Sequence, residues 1–329
     1  MEEQTGRKKI FILASGGTIT GLAASPVDIT GYMAGAADVK ALLARVPEVN
    51  SLAEIATEDV CGIASENATP ELWLNRARRA EALLADADID GLVVTSGTDT
   101  LEELAYFLNL VLPTDKPVVV VGAMRPLSAY GADGPMNLYN AVAVAAAEES
   151  RGMGVLVVMN DTVISARGVQ KQDCARLNTM EGGDFGTLGY VLAGDVRFFA
   201  APCRRHTAAA EFRLADIYDL PPVEIFYMSA GADARLLNCM LDLGACGVVV
   251  AGFGNGTVSD SVAERLHDLQ NEGVVCVITS RCQTGLARAT VPGLIAGADL
   301  SPQKARVLLM LCLAVGLGNS DIARCFKEY

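Results

Sequence analysis

Short apolar runs rich in β-branched residues alternate along this chain with segments whose apolar positions recur at helical spacing. Residues 10–14, 92–94, 117–122 and 155–159 are such runs, and they read as strands buried on both faces. Helical patterns follow at 37–46, 70–85, from Leu101 onward, and from Ala132 to about Glu149. Leu101, Leu104, Ala105 and Leu108 form an i, i+3, i+4, i+7 stripe, and Thr100 with Glu103 fits a capping box at its start. Residues 52–56 and 59–63 read as two short strands, and 163–199 as antiparallel excursions.

Beyond residue 200 the periodicity fades. Pro202, Arg204, Arg205, Pro221 and Pro222 mark residues 201–222 as a linker. The alternation then resumes with strands at 223–228, 247–251 and 274–279, helices at 232–243 and 259–271, and a helical region from Pro302. Strands alternating with helices imply parallel pairing through right-handed crossovers. The expected fold is therefore two α/β domains. Residues 1–200 form a larger catalytic domain around a mixed sheet, with the active site at the carboxyl ends of its strands; residues 223–329 form a smaller parallel-sheet domain.

Composition narrows the function. With 329 residues, 51% of them apolar, the chain can build a sizeable core. Its net charge of −13, with no basic patch, argues against nucleic acid and anionic membranes and for a small-molecule substrate. Nine cysteines without Cys-x-x-Cys spacing signal neither a disulfide framework nor a zinc site, and they fit a reducing, cytoplasmic compartment. Only two histidines, His206 and His267, are present, and Gly-x-Ser-x-Gly is absent. The apolar run 10–14 is shorter than the core of a signal peptide, and 307–317 is too short to span a bilayer. No metal set and no cofactor motif stands out, so neither a metal nor a cofactor is expected.

The chemistry-bearing residues cluster where strands end. Gly16-Gly17 after the first run allows close backbone approach and exposes Thr18. Ser96-Gly97-Thr98-Asp99 follows the run 92–94 in the same way, beside a helix N-terminus. Either stretch also reads simply as a polar, well-capped turn. Tyr32 lies on a Gly- and Pro-containing loop, 22–35, of a length usually reserved for function. Ser65-Glu66-Asn67 sits at another strand end, where it also reads as a run leading into the helix at Pro70. Lys171, between Gln170 and Gln172, reads on its own as a solvated surface group. A threonine hydroxyl becomes a nucleophile only when a base takes its proton, and with histidine scarce a tyrosine or a lysine of lowered pKa must serve. Acyl transfer, with backbone N–H groups at the glycine turns holding the oxyanion, is the reaction class this suggests.

Five stretches then carry a resemblance: Ala14-Ser-Gly-Gly-Thr-Ile-Thr20, Thr95-Ser-Gly-Thr-Asp-Thr100, Val121-Gly-Ala-Met-Arg-Pro126, Ala132-Asp-Gly-Pro-Met-Asn-Leu-Tyr139 and Val157-Val-Met-Asn-Asp-Thr162. Together they resemble the bacterial-type L-asparaginase family, in its type II and glutaminase-asparaginase branch, from about Ile10 to the end of the chain. The resemblance implies an amidohydrolase that converts L-asparagine to L-aspartate and ammonia, with L-glutamine as a second substrate. It implies Thr18 as the acylated nucleophile, Tyr32 as its activator, and Thr98, Asp99 and Lys171 as a second polar triad. Gly17, Ser65, Glu66, Gly97, Ala123 and Thr257 would contact substrate, Ala123 through its main chain and Thr257 from a neighbouring subunit. It also implies a homotetramer built from intimate dimers. The branch contains periplasmic members, which favours export where the cysteines favour the cytoplasm.

Three positions depart from the family pattern. Ser96 replaces a histidine, and Glu66 stands where many strict asparaginases have glutamine. The stretch from Leu286 to Gly293 lacks the glutamate that the family directs into a neighbouring site, from which weaker binding or an altered substrate preference is expected. Two other readings fit the same residues: action on another amide, such as D-asparagine or a peptide amide, or a catalytically weak amino-acid-binding protein.

Overall fold

The apolar runs pair side by side. In the computed structural model, which describes residues 7–329, the chain divides into two compact units between Ala210 and Glu211. The first holds β1 (Lys9–Gly16), β2 (Glu54–Ile63), β3 (Gly91–Thr95), β4 (Val118–Val121) and β5 (Val155–Met159), parallel in the order β2-β1-β3-β4-β5. Beyond β5 the sheet turns antiparallel through β6 (Thr162–Ser165). A small hairpin of β7 (Gln170–Lys171) and β8 (Met180–Glu181) stands apart, and β9 (Gly189–Leu192) and β10 (Asp195–Phe198) complete the far edge. The expected mixed sheet is therefore present. β3, β4 and β5 are buried throughout because helices cover both faces, which is why they read as unbroken Val and Leu.

The helices of this unit are α1 (Val39–Leu43), α2 (Val49–Leu52), α3 (Pro70–Leu84), α4 (Leu101–Val111) and α5 (Gly134–Ala146). Ile10, Ile12, Val93, Val119 and Val121 pack on one face against Val39, Leu42, Val49, Leu138 and Val142, so α1, α2 and α5 share that face. α3 and α4 pack on each other and on β3, β4 and β5 from the opposite side. The β3-α4-β4 and β4-α5-β5 connections thus step in the same direction on opposite faces and have opposite hands. The β1-to-β2 connection steps the other way on the α5 face and so shares the hand of β3-α4-β4. β4-α5-β5 is the odd one out against the right-handed rule.

Several local expectations shift. The stretches at 52–56 and 59–63 are one continuous edge strand, β2, whose polar Glu58 is tolerated because it points to Arg79 at 2.6 Å. The helix expected at 37–46 shortens to α1, capped by Asp38, because Pro47 disfavours helical geometry just before it; α2 then forms unannounced. The capping box at Thr100 does not form: Thr100 makes no side-chain cap bond, and its hydroxyl donates instead to Ser65 O at 3.0 Å. α5 ends at Ala146, where Ala147 becomes extended.

The second unit carries a four-stranded parallel sheet in the order β11 (Val223–Tyr227), β12 (Gly247–Gly252), β13 (Val275–Ser280), β14 (Ile295–Ala296). α6 (Arg235–Asp242) and α7 (Asp260–Asn271) cover one face through Leu237, Val262, Leu266 and Leu269. α8 (Pro302–Ala314), capped by Ser301, packs on β11, β12 and β13, and α9 (Asn319–Glu328) packs on α8. The two-residue β14 is too short to show in the sequence pattern. Within residues 201–222, Phe212 is buried and packs on Tyr329 with ring centroids 5.4 Å apart. All nine cysteines are free, and among the described residues no helix is long and apolar enough to cross a membrane.

Candidate active site

The strand order fixes where a ligand can bind. β1 has β2 on one side and β3 on the other, so the loops leaving β1 and β3 diverge at the topological switch point, outside the carboxyl ends of the strands. Those are the two loops that carry Thr18 and Thr98.

After β1 the backbone turns through Gly16 at φ 77° and Gly17 at φ 86°, values that favour glycine. Gly17 N donates to Ile63 O at 3.0 Å, and Gly35 N donates back to Gly17 O at 3.0 Å. A Cβ on Gly17 would lie 2.5 Å from Gly97 N, and one on Gly97 would lie 2.7 Å from Ser65 Oγ. The loops after β1, β2 and β3 therefore interlock at distances only glycine permits. The buried Thr18 shares a hydrogen bond of 2.6 Å with Tyr32 Oη, in which either oxygen can donate.

Tyr32 is presented by the long loop 22–35, which the structure ties down at several points. Leu22 bridges Met33, Ala23 N donates to Ser128 Oγ at 2.8 Å, and Tyr130 N donates to Pro26 O at 2.8 Å. The Asp28 carboxylate accepts from Gly31 N at 2.7 Å and from Thr30 N at 3.0 Å, which holds its carboxyl below the ordinary range.

The buried Thr98 accepts from Lys171 Nζ at 2.8 Å, and the same Nζ donates to Asp99 Oδ1 at 2.6 Å. Lys171 is thus no solvated surface group; its side chain is 19% exposed. It arrives on β7, held by its backbone N–H donating to Glu102 Oε2 at 2.8 Å. Glu102 is buried in the first turn of α4, and nothing in the sequence pattern set it apart from Glu103. Asp99 is 59% exposed, so its carboxylate is both ion-paired and accessible. Ser65 is buried and accepts from Asp99 N at 3.2 Å through Oγ, whereas its neighbour Glu66 is exposed. Ser96 is buried and donates to Gly97 O at 3.2 Å.

Ala123, wholly buried after β4, completes the cluster. A Cβ on the adjoining Gly122 would lie 3.0 Å from Thr98 Cγ2, and one on Gly134 would lie 2.9 Å from Ile19 Cγ1 and 3.5 Å from Ala123 Cβ. Thr18, Tyr32, Ser65, Gly97, Thr98, Asp99 and Ala123 thus belong to one set of adjoining strand-end loops, and Lys171 reaches Thr98 and Asp99 from β7. Thr257 lies in the second unit, exposed, with its hydroxyl donating to Phe253 O at 3.2 Å. Among the described residues no group of three His, Cys, Asp or Glu side chains could hold a metal ion.

Two hydroxyls, one in contact with a phenol and one with an ammonium, offer a nucleophile and an electrostatic partner on adjoining loops. The chain is also similar to known proteins. Residues 9–204 match the family model described as Asparaginase, N-terminal, and residues 222–326 match that of the Glutaminase/Asparaginase C-terminal domain. The chain is 41% identical over 336 residues to a glutaminase-asparaginase of Pseudomonas fluorescens biotype A, covering 100% of this chain and 92% of that protein. It is 41% identical over 331 residues to L-asparaginase 2 of Bacillus subtilis strain 168, covering 99% and 88%. The crystal structure of a probable cytoplasmic L-asparaginase from Campylobacter jejuni superposes with a TM-score of 0.96 at 41% identity, over 98% of this chain and 100% of that one.

Proposed function

The chain belongs to the asparaginase family, and from that premise we propose that it hydrolyses L-asparagine to L-aspartate and ammonia through an acyl-enzyme on Thr18. The observation that carries this reading is the 2.6 Å contact between Thr18 Oγ1 and Tyr32 Oη. Thr18 Oγ1 attacks the side-chain amide carbon. Its proton passes to Tyr32 Oη while Tyr32 hands its own proton to the departing nitrogen, so the C–N bond breaks, ammonia leaves and the phenol ends neutral. Backbone N–H groups at the Gly17 and Gly97 turns hold the developing oxyanion.

Water then cleaves the ester. Thr98 Oγ1 accepts from Lys171, so its own proton is left to orient that water or the amide. The water proton returns to Thr18 Oγ1 through Tyr32, and the hydroxyl stays on the product. Asp99 receives the substrate α-ammonium, supported by its exposure beside Lys171, and Ser65 receives the α-carboxylate end through its hydroxyl, with Glu66 next to it at the substrate's charged end.

L-Glutamine is a second substrate in this reading, supported by Glu66 and by the name glutaminase-asparaginase on the Pseudomonas relative. The working form is a homotetramer in which Thr257 completes a neighbour's site. The free thiols support a reducing, cytoplasmic setting. Ammonia release from L-asparagine and L-glutamine, measured for wild type and Thr18→Ala, tests the proposal. Turnover abolished in the mutant supports it. No turnover by wild-type protein on either amide removes it, and tight asparagine binding without ammonia release identifies a binding protein instead.

A further inference from the structure

We propose that Cys61, set against the buried guanidinium of Arg76, is an oxidative modification site through which a hydroperoxide reversibly slows this enzyme. Arg76 lies within α3 and is 3% exposed. A buried arginine is ordinarily met by a carboxylate, because an unpaired charge away from water is costly. Among the described residues no carboxylate pairs with Arg76. Its Nε has no hydrogen-bond partner, and its Nη2 donates at 3.1 Å to Cys61 Sγ. Glu58, three residues earlier on β2, is bound by Arg79 instead.

Cys61 is half-buried on the edge strand β2, so a small solute can reach it. A thiol sulfur is a weak acceptor, which leaves the guanidinium under-satisfied in the reduced site. A guanidinium beside sulfur favours the negative charge that sulfur carries as a nucleophile. It favours a sulfenate oxygen too, through a charge-assisted hydrogen bond. In the oxidation, sulfur attacks one oxygen of the hydroperoxide; the S–O bond forms and the O–O bond breaks. Sulfur gives up two electrons and the peroxide gains them. The thiol proton leaves with the departing oxygen, as water when the oxidant is hydrogen peroxide. Cys61 becomes a sulfenic acid, the step of the oxidation ladder that thiols reverse.

Cys61 borders the turn that places Thr18. The register of β1 on β2 shifts between Ala14 and Gly16, whose partners are Asp59 and Ile63, and Cys61 falls within that irregularity. Its Sγ lies 3.9 Å from Ser15 O, and Ser15 N is tied to Thr95 Oγ1 at 3.0 Å. A Cβ on Gly16 would lie 3.0 Å from Gly62 C, and Gly17 N donates to Ile63 O at 3.0 Å. An oxygen added to Sγ presses on Ser15 or draws Arg76 toward itself, and close packing passes either shift to Gly17 and Thr18.

Oxidation of the thiol is independent of the amidohydrolase reading; its effect on turnover rests on that reading. The full chain is treated with hydrogen peroxide in the presence of dimedone, which traps sulfenic acids, and each cysteine peptide is quantified by mass spectrometry. Cys61 is expected to label roughly tenfold faster than the exposed Cys174, Cys239, Cys246 and Cys282, and Arg76→Met to remove that advantage. Without dimedone, peroxide should lower ammonia release from L-asparagine roughly tenfold, and dithiothreitol should restore it. Cys61→Ser should keep its rate under the same treatment. Labelling of Cys61 no faster than that of the exposed thiols, in wild-type protein alone, overturns the inference. So does labelling that Arg76→Met leaves unchanged, or a loss of rate that persists in Cys61→Ser or is absent from wild type. Untreated wild-type protein inactive on L-asparagine removes the amidohydrolase reading instead, and the labelling comparison still decides the site.

Discussion

Gly17 and Gly97 meet backbone against backbone, with a Cβ on the former 2.5 Å from the nitrogen of the latter. Each glycine immediately precedes a threonine of the candidate site, so this contact is what brings the two threonine-bearing loops together. Gly97→Ala would drive a methyl to 2.7 Å from Ser65 Oγ. It is expected to destabilise the protein by about 1–3 kcal/mol through overpacking. It should also cut kcat/KM for L-asparagine by roughly 100-fold, since a misplacement of about 1 Å at a reacting group costs that much. Thermal unfolding and ammonia release on one preparation check both; wild-type rates would show that the loops do not need this fit.

Tyr32→Phe removes only the oxygen that touches Thr18. The ring still packs against Gly21, so stability should stay within about 1 kcal/mol of wild type. kcat should fall by about 10²–10⁴, the range for loss of a proton-transfer group. Stopped assays of ammonia release with L-asparagine distinguish this from a change in KM alone.

Lys171→Met leaves Thr98 and Asp99 without the ammonium they share. Turnover is expected to drop by at least about 100-fold, as for other preorganised charges. Lys171→Arg should not restore it, because a planar fork cannot replace a compact ammonium between these two oxygens. Glu102→Gln keeps an acceptor for the Lys171 backbone N–H and should remain active, whereas Glu102→Ala should lose rate. Equal activity of the two Glu102 variants would contradict that anchoring role.

His206 titrates against the fold. Its partial burial disfavours the charged ring, so its pKa lies below the ordinary 6.5. The unfolded chain then takes up a proton near pH 6.5 that the folded chain does not. Stability is unaffected above that pH and declines as the pH falls below it. His206→Asn should therefore lose less Tm than wild type between pH 7.5 and pH 5 (roughly the span of histidine titration). Parallel slopes for the two proteins would show that His206 is not the group responsible.

Residues 281–286 and 288–290 are exposed, which leaves room to restore the missing acid. Leu286 is 64% exposed, so Leu286→Glu should fold normally. A lowered KM for L-asparagine with kcat little changed is expected if a carboxylate from this segment reaches an α-ammonium in a neighbouring subunit. An unchanged KM would sink that idea.

Most of the fold could be read from residue order because fully buried parallel strands must be continuously apolar. The Val runs of β3, β4 and β5 have few other uses. Thr18 and Thr98 stood out for a related reason: a glycine turn after a buried strand is a local feature. Where neighbours far along the chain decide, local patterns failed. Thr100 looked like a cap, but Ser65, 35 residues away, offered its hydroxyl a better acceptor. Lys171 looked like any surface lysine, because its partners are 72 and 73 residues distant.

Residue order by itself determined the α/β class, the family resemblance, and the threonines, carboxylate and phenol from which a site can be made. Those depend on periodicity and on side-chain chemistry, both carried by consecutive residues. Only the tertiary structure decided that the glycine turns interlock, that Glu102 holds Lys171, and that Arg76 meets Cys61. Each is a hydrogen bond or a van der Waals limit between segments whose separation in space no local pattern encodes.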